Sequence, residues 1–101
     1  MSFPLNNLRH NSSSDGLKDQ VRRSAVSIMA NIAEGYHATS KLEYLRFLGY
    51  ASRSCSETRS HLYIARDVDY ISADTFESLS ENALKTSNYI RGLIKYVKTA
   101  D

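Results

Sequence analysis

Gln20-Val21-Arg22-Arg23-Ser24-Ala25-Val26-Ser27-Ile28-Met29-Ala30-Asn31-Ile32-Ala33-Glu34-Gly35-Tyr36 is the stretch that decides how this chain folds. Traced back to Leu17, its apolar residues Leu17, Val21, Ala25, Ile28 and Ile32 recur at spacings of 4, 4, 3 and 4, the period of one face of an α-helix. Met29 and Ala33 are expected to widen that stripe. Ser14 or Asp15 is placed to cap the start. Gly35 is expected to stop the helix as its C′ residue, because glycine adopts positive φ without a Cβ clash. Asn31 and Glu34 border the apolar face, where polar groups need partners. The expectation is a hydrogen-bond network that fixes the turn into the next element, with Glu34 paired to Arg22, Arg23 or a partner's arginine.

Downstream, Ser40-Lys41-Leu42-Glu43 has the form of a capping box, a serine whose hydroxyl accepts from the Glu43 amide while the Glu43 carboxylate reaches back. The helix it opens is expected to run to Arg66 or Asp67. Leu45, Leu48, Cys55, Leu62 and Ala65 are its candidate core. Gly49, Ala51, Ser52, Ser54 and Ser56 are small enough for a tight helix crossing. Val68 to Ile71 form a connector, and Ser72 or Asp74 caps a third helix. In that helix Phe76, Leu79, Ala83, Thr86, Ile90, Leu93 and Val97 alternate at spacings of 3 and 4, a heptad-like seam. Ile94 widens the seam. The fold class expected is all-α, an up-down antiparallel bundle of three long helices.

The whole chain has 101 residues with 42% apolar content, which suits one small domain. Residues 1–14 read as a polar, flexible lead-in carrying Phe3, Leu5 and Leu8, and residues 15–101 as the helical domain. Cys55 is the only cysteine, so no disulfide closes within the chain, as in a reducing cytosol. No signal peptide and no membrane span are expected. Localisation is read as cytoplasmic.

Catalytic chemistry finds little footing. Glu34 and His37 have E-x-x-H spacing, but a di-iron bundle needs two such motifs and two further glutamates. Glu57 and His61, four apart, read as a helix-surface pair. Cys55 reads as a buried structural thiol. No glycine-rich phosphate loop, nucleophile elbow or zinc-protease motif occurs. No catalytic, metal-binding or cofactor-binding residue is assigned, and the chain is read as no enzyme. The net charge of +2 and pI near 8.8 are mildly basic. Arg22, Arg23, Arg46 and Arg53 are the candidate contacts to nucleic acid, with Tyr36, Tyr44, Tyr50 and Tyr63 available for stacking. A solvated face paired with Glu43, Glu57 and Asp67 is the plainer reading for a monomer.

Arg22 through Ile28, Ala30 through Gly35, and Ser40, Glu43, Phe47 and Leu48 resemble the four-helix-bundle family encoded in intervening sequences of bacterial large-subunit ribosomal RNA genes. Met29 departs from it, standing where proline is common. The resemblance covers roughly residues 16–98. It implies a cytosolic bacterial bundle without established enzymatic activity that assembles as a homo-oligomer, the pentamer being the family's form. Accessory proteins of diversity-generating retroelements, associated with nucleic acid and reverse transcriptase, are similar. On this resemblance Asn31, Glu34, Gly35, Ser40 and Glu43 form the structural and assembly motif. Members carry a long helix ahead of a Phe-Pro segment, here Phe3-Pro4, so the family's first helix is expected to be missing or reduced. An open apolar groove, filled by another subunit or by the N-terminal segment, is the consequence. The function expected is a non-enzymatic, self-associating bundle that engages RNA or a ribonucleoprotein. The alternative is a protein–protein adaptor with no nucleic-acid role.

Overall fold

The computed structural model describes residues 12–100, and the expectations for the lead-in, Phe3, Leu5 and Leu8 included, fall largely outside them. Three helices follow one another: α1 (Ser12–Tyr36), α2 (Lys41–Asp67) and α3 (Ala73–Thr99). The described residues contain no strand. The chain is therefore all-α, and α1 begins two residues ahead of the expected cap.

Gly35 does not act as the expected C′ residue. It lies within α1, is buried, and no glycine among the described residues has positive φ. A Cβ there would stand 2.8 Å from Tyr44 Cδ1, so glycine is required for close approach of the α2 ring. The helix ends instead by tightening: the His37 amide donates to the Glu34 carbonyl and the Ala38 amide to the Gly35 carbonyl, both at 3.1 Å, an i→i−3 pattern. Ser40 then caps α2, its Oγ accepting from the Glu43 amide at 3.1 Å. The return bond from the Glu43 carboxylate is not formed. Ser72, rather than Asp74, caps α3 by accepting from the Thr75 amide.

The α2–α3 connector is more ordered than its sequence suggests. Asp69 has φ 64°. The Tyr70 amide donates to the Ala65 carbonyl at 2.8 Å and the Asp69 amide to the Arg66 carbonyl at 3.1 Å. These two bonds define a Schellman motif with aspartate in the left-handed position.

The helix α2 is the spine of the molecule. It packs against both neighbours, whereas α1 and α3 have little backbone contact with each other. The principal extents are 49 × 21 × 17 Å, one helix long and only about two helix diameters wide. At one end Leu17, Leu62, Ala65, Ile71 and Leu79 form a cluster; in the middle Ile28, Ile32, Ala51, Cys55 and Ile90 form another. The α1–α2 seam also carries a hydroxyl ladder. Thr58 Oγ1, fully buried, shares its proton between Ser24 Oγ at 2.8 Å and the Ser54 carbonyl at 2.9 Å. Ser24 Oγ donates onward to the carbonyls of Gln20 and Val21, and Ser27 Oγ pairs with Ser54 Oγ at 2.8 Å. Asn31 Nδ2 donates to the Ser27 carbonyl at 2.8 Å and to Ser27 Oγ.

Three expectations are corrected here. Glu34 pairs with neither Arg22 nor Arg23: it is exposed, and Arg23 pairs with Asp19 at 3.2 Å. The separation explains this, since eleven residues of helix between Arg23 and Glu34 span about 16 Å, beyond the reach of the two side chains. Gly49 and Ser56 are exposed and lie away from the tight crossing, which Ala51 and Ser54 make. Met29 and Ala33 do not widen a buried stripe; both are exposed, because among the described residues no helix covers that side of α1.

Candidate interaction surfaces

Two distinct faces follow from this arrangement. The first is the furrow between α1 and α3. Beside its buried stripe, α1 carries a second seam, Arg22, Val26, Met29, Ala33 and Tyr36, at spacings of 4, 3, 4 and 3. The helix α3 answers with Asn82, Thr86, Tyr89, Leu93 and Tyr96 at the same spacings. With α2 behind both helices, these seams leave a cavity of about 390 Å³ lined by Met29, Ile32, Tyr36, Lys85, Thr86 and Tyr89. The phenols of Tyr36 and Tyr89 hydrogen-bond across it at 2.7 Å. That bond, followed by desolvation and by the neighbouring Tyr89 and Tyr44 phenols, pushes the Tyr36 pKa up to about 12. Val26 is 61% exposed, Met29 45%, Tyr36 56%, Tyr89 53% and Tyr96 70%. Exposure of single apolar residues is ordinary, but here the exposed apolar residues of two helices converge on one groove.

The second face lies on the other side of the α1–α2 pair. Arg46, Tyr50 and Arg53 occupy positions i, i+4 and i+7 of α2 and are all exposed. The Arg53 guanidinium sits 5.8 Å from the centre of the Tyr50 ring, and Tyr50 packs edge-on against Phe47 at 6.1 Å. Among the described residues neither Arg46 nor Arg53 has a carboxylate within ion-pair distance. The pairing expected for Asp67 does form, with Arg66 at 3.0 Å, while among the described residues Glu43 and Glu57 pair with no arginine. Arg66 also stacks on Tyr63 and Phe76.

The four candidate arginines are not brought together as one cluster. Arg22 and Arg23, adjacent in sequence, project about 100° apart around α1. Arg22 therefore belongs to the groove seam, and Arg23 to a notch lined by Gln20, Arg23, Ser24, Ser27, Glu57 and His61. Because Ser24 meets Thr58, Arg23 lies level with the C-terminal half of α2, and Arg46 is roughly 20 Å further along. Glu57 and His61, read from sequence as a surface pair, share the notch. Tyr36 and Tyr44 contact each other edge-on at 6.1 Å near the groove rather than beside Arg53. Among the described residues no group of three or more metal-binding side chains converges, and no helix is long and apolar enough to cross a membrane.

Residues 4–92 match the model of the 23S rRNA-intervening sequence protein family. Among solved structures, a protein of unknown function from the S23 ribosomal protein family of Bacteroides thetaiotaomicron VPI-5482 has a similar fold, with a TM-score of 0.76 and 28% identity. The alignment covers 78% of this chain and 73% of that one. No curated protein matches the chain.

Proposed function

The chain belongs to the 23S rRNA-intervening sequence protein family, and we propose that it acts without catalysing a reaction, as a helical bundle that self-associates through the α1–α3 groove. The observation that carries this reading is the pair of exposed seams facing one uncovered furrow. Val26, Met29, Tyr36, Tyr89 and Tyr96 leave on the order of 500 Å² of largely apolar side chain open. That is more than half of the ~800 Å² per partner that a stable interface buries. A second copy of this chain is the occupant, since it offers the same surface in return. Light scattering during size exclusion tests this directly. The expected mass exceeds the 11.4 kDa of one chain, and Met29→Glu, at a position exposed enough to tolerate charge, shifts the species toward monomer. A well-folded monomer at high concentration that binds no hydrophobic dye overturns the reading.

The face bearing Arg46, Tyr50 and Arg53 supports a second element, contact with RNA. Two guanidinium groups without an ion-pair partner among the described residues, with Tyr50 between them along α2 and Arg53 set over its ring, supply what a single strand needs, phosphate neutralisation and an aromatic surface. Binding to a labelled single-stranded RNA is expected to weaken with salt. Replacing both arginines by alanine should flatten the logarithmic salt slope by about 1.4. Affinity indifferent to salt refutes this element. Self-association without RNA affinity even at low salt leaves the protein–protein adaptor.

A further inference from the structure

The notch between α1 and α2 has a volume of about 260 Å³ and is lined by Gln20, Arg23, Ser24, Ser27, Glu57 and His61, polar residues whose carbon atoms nonetheless make up most of its surface. The two serines are committed to the hydroxyl ladder and form its satisfied floor. The remaining groups are not. Glu57 has no ion-pair partner among the described residues, and Arg23 engages Asp19 through Nε at 3.2 Å. His61 Nδ1 has no hydrogen-bond partner but is out of reach of solvent, so the ring walls the notch and that atom takes no part in holding a ligand.

The charges restrict what can enter. Asp19 and Glu57 outnumber Arg23, so an isolated phosphate is disfavoured. A suitable group presents donors to a carboxylate and acceptors to a guanidinium on the same small, flat body. The opening is below the ~300–1,000 Å³ of pockets for larger ligands and suits one heterocyclic base. Guanine meets both requirements. Its N1–H and N2–H groups lie side by side for a carboxylate, and its O6 and N7 accept from an arginine. Adenine fails the first, because it turns a bare N1 acceptor toward Glu57. Glu57 lies one helical turn, about 6 Å, beyond Arg53. A strand held by its backbone at Arg53 thus passes the notch, and unstacked bases of single strands are the usual object of sequence reading in RNA.

We propose that the Arg23–Glu57–His61 notch receives a single unstacked guanine of an RNA strand whose backbone lies on Arg46 and Arg53. The inference rests on the RNA element of the proposed function, and the experiment separates the two. Two fluorescein-labelled oligouridine RNAs, one with a central guanosine and one with a central adenosine, are titrated against the full chain. The guanosine strand is expected to bind about tenfold tighter. Glu57→Gln, at an exposed position where folding is checked by circular dichroism, should bring the ratio to within twofold. The ratio is the readout because losing a carboxylate raises affinity for every RNA alike. Equal binding of the two strands by the unaltered chain, or a preference that survives Glu57→Gln, overturns the notch and leaves the RNA element standing. Binding of neither strand overturns both.

Discussion

Replacing Gly35 with alanine tests whether α1 and α2 approach as closely as the structure shows. In a helix interior the exchange alone is worth up to about 1 kcal/mol in favour of alanine. Gly49 and Gly92 provide the reference: both are helical, neither has positive φ, and an added Cβ would meet nothing within 4 Å. Each should gain roughly 0.5–1 kcal/mol. At Gly35 the new carbon would stand 2.8 Å from Tyr44 Cδ1, 2.9 Å from Cε1 and 3.7 Å from Phe47 Cβ. Carbon pairs settle at about 3.5–4.0 Å, so the ring must withdraw while its edge contact with Tyr36 resists. Overpacking of this kind costs ~1–3 kcal/mol. After subtraction of the helical gain, Gly35→Ala is expected to lose about 1 kcal/mol, a drop of roughly 4–8 °C in Tm for a domain this small. Thermal and urea unfolding followed by circular dichroism, at one fixed protein concentration so that association does not shift the comparison, gives the three values. The double-mutant cycle isolates the cause: in a Tyr44→Ala background the penalty should vanish and the gain return. Gly35→Ala stabilising as much as Gly49→Ala, or a penalty that persists without Tyr44, would refute the close-approach argument.

Three further outcomes are expected. Thr58→Val removes the buried hydroxyl that bridges α1 and α2 and should cost about 1–2 kcal/mol in urea unfolding; combined with Ser24→Ala it should cost less than the sum, since each partner's loss is already counted in the other. Asp69, held at φ 64°, should give about 0.5–1 kcal/mol of extra stability as glycine and lose about 1–2 kcal/mol as valine, because only the branched side chain meets the full left-handed penalty; equal melting temperatures would contradict the Schellman assignment. The Tyr36 phenol, raised from 10.0 to about 12 chiefly by its hydrogen bond with Tyr89, keeps its proton in the folded chain after the unfolded chain has lost it, so its contribution to stability is whole below pH 10 and fades as the pH climbs toward 12. A tyrosine absorbance titration should therefore show a late-ionising phenol that disappears in Tyr89→Phe, and identical curves for the two proteins would sink the assignment.

The helices were readable from sequence because their information is local and repeated. Ser40 and Ser72 precede apolar periodicity and cap as serines do, and Val21, Ile28, Leu48, Leu62, Leu79 and Ile90 fall on the faces their spacing assigns. What escaped depends on partners distant in the chain. A glycine after an apolar run reads as a stop, and only the Tyr44 ring, nine residues on, reveals Gly35 as a contact. Ser24 and Thr58 look like surface residues until α1 and α2 are laid side by side and the two hydroxyls meet. Asp69 had a signal available: among non-glycine residues, asparagine and aspartate enter the left-handed region most readily. The notch had only half a signal: Glu57 and His61 share a helix face four residues apart, but Arg23 comes from a different helix and no short motif joins it to them.

Periodicity also states how wide an apolar surface is without stating how many neighbours cover it. On α1 the buried stripe and the Val26–Met29–Ala33–Tyr36 seam run side by side, and a single helix, α2, can bury only one of them. The seam that α2 leaves exposed and its counterpart on α3 thus define the groove: among the described residues three helices share a pattern broad enough for more. The same geometry separates Arg22 from Arg23, turning one toward the groove and the other toward the notch. Since α1 stands between the two faces, a second copy seated in the groove would leave Arg46, Tyr50, Arg53 and the notch in solvent. Each added protomer would then present another basic face, and under the proposed function assembly would strengthen RNA contact, since weak single-site affinities combine through effective concentration. On this account Met29→Glu should weaken RNA binding, although Met29 touches no part of the arginine face.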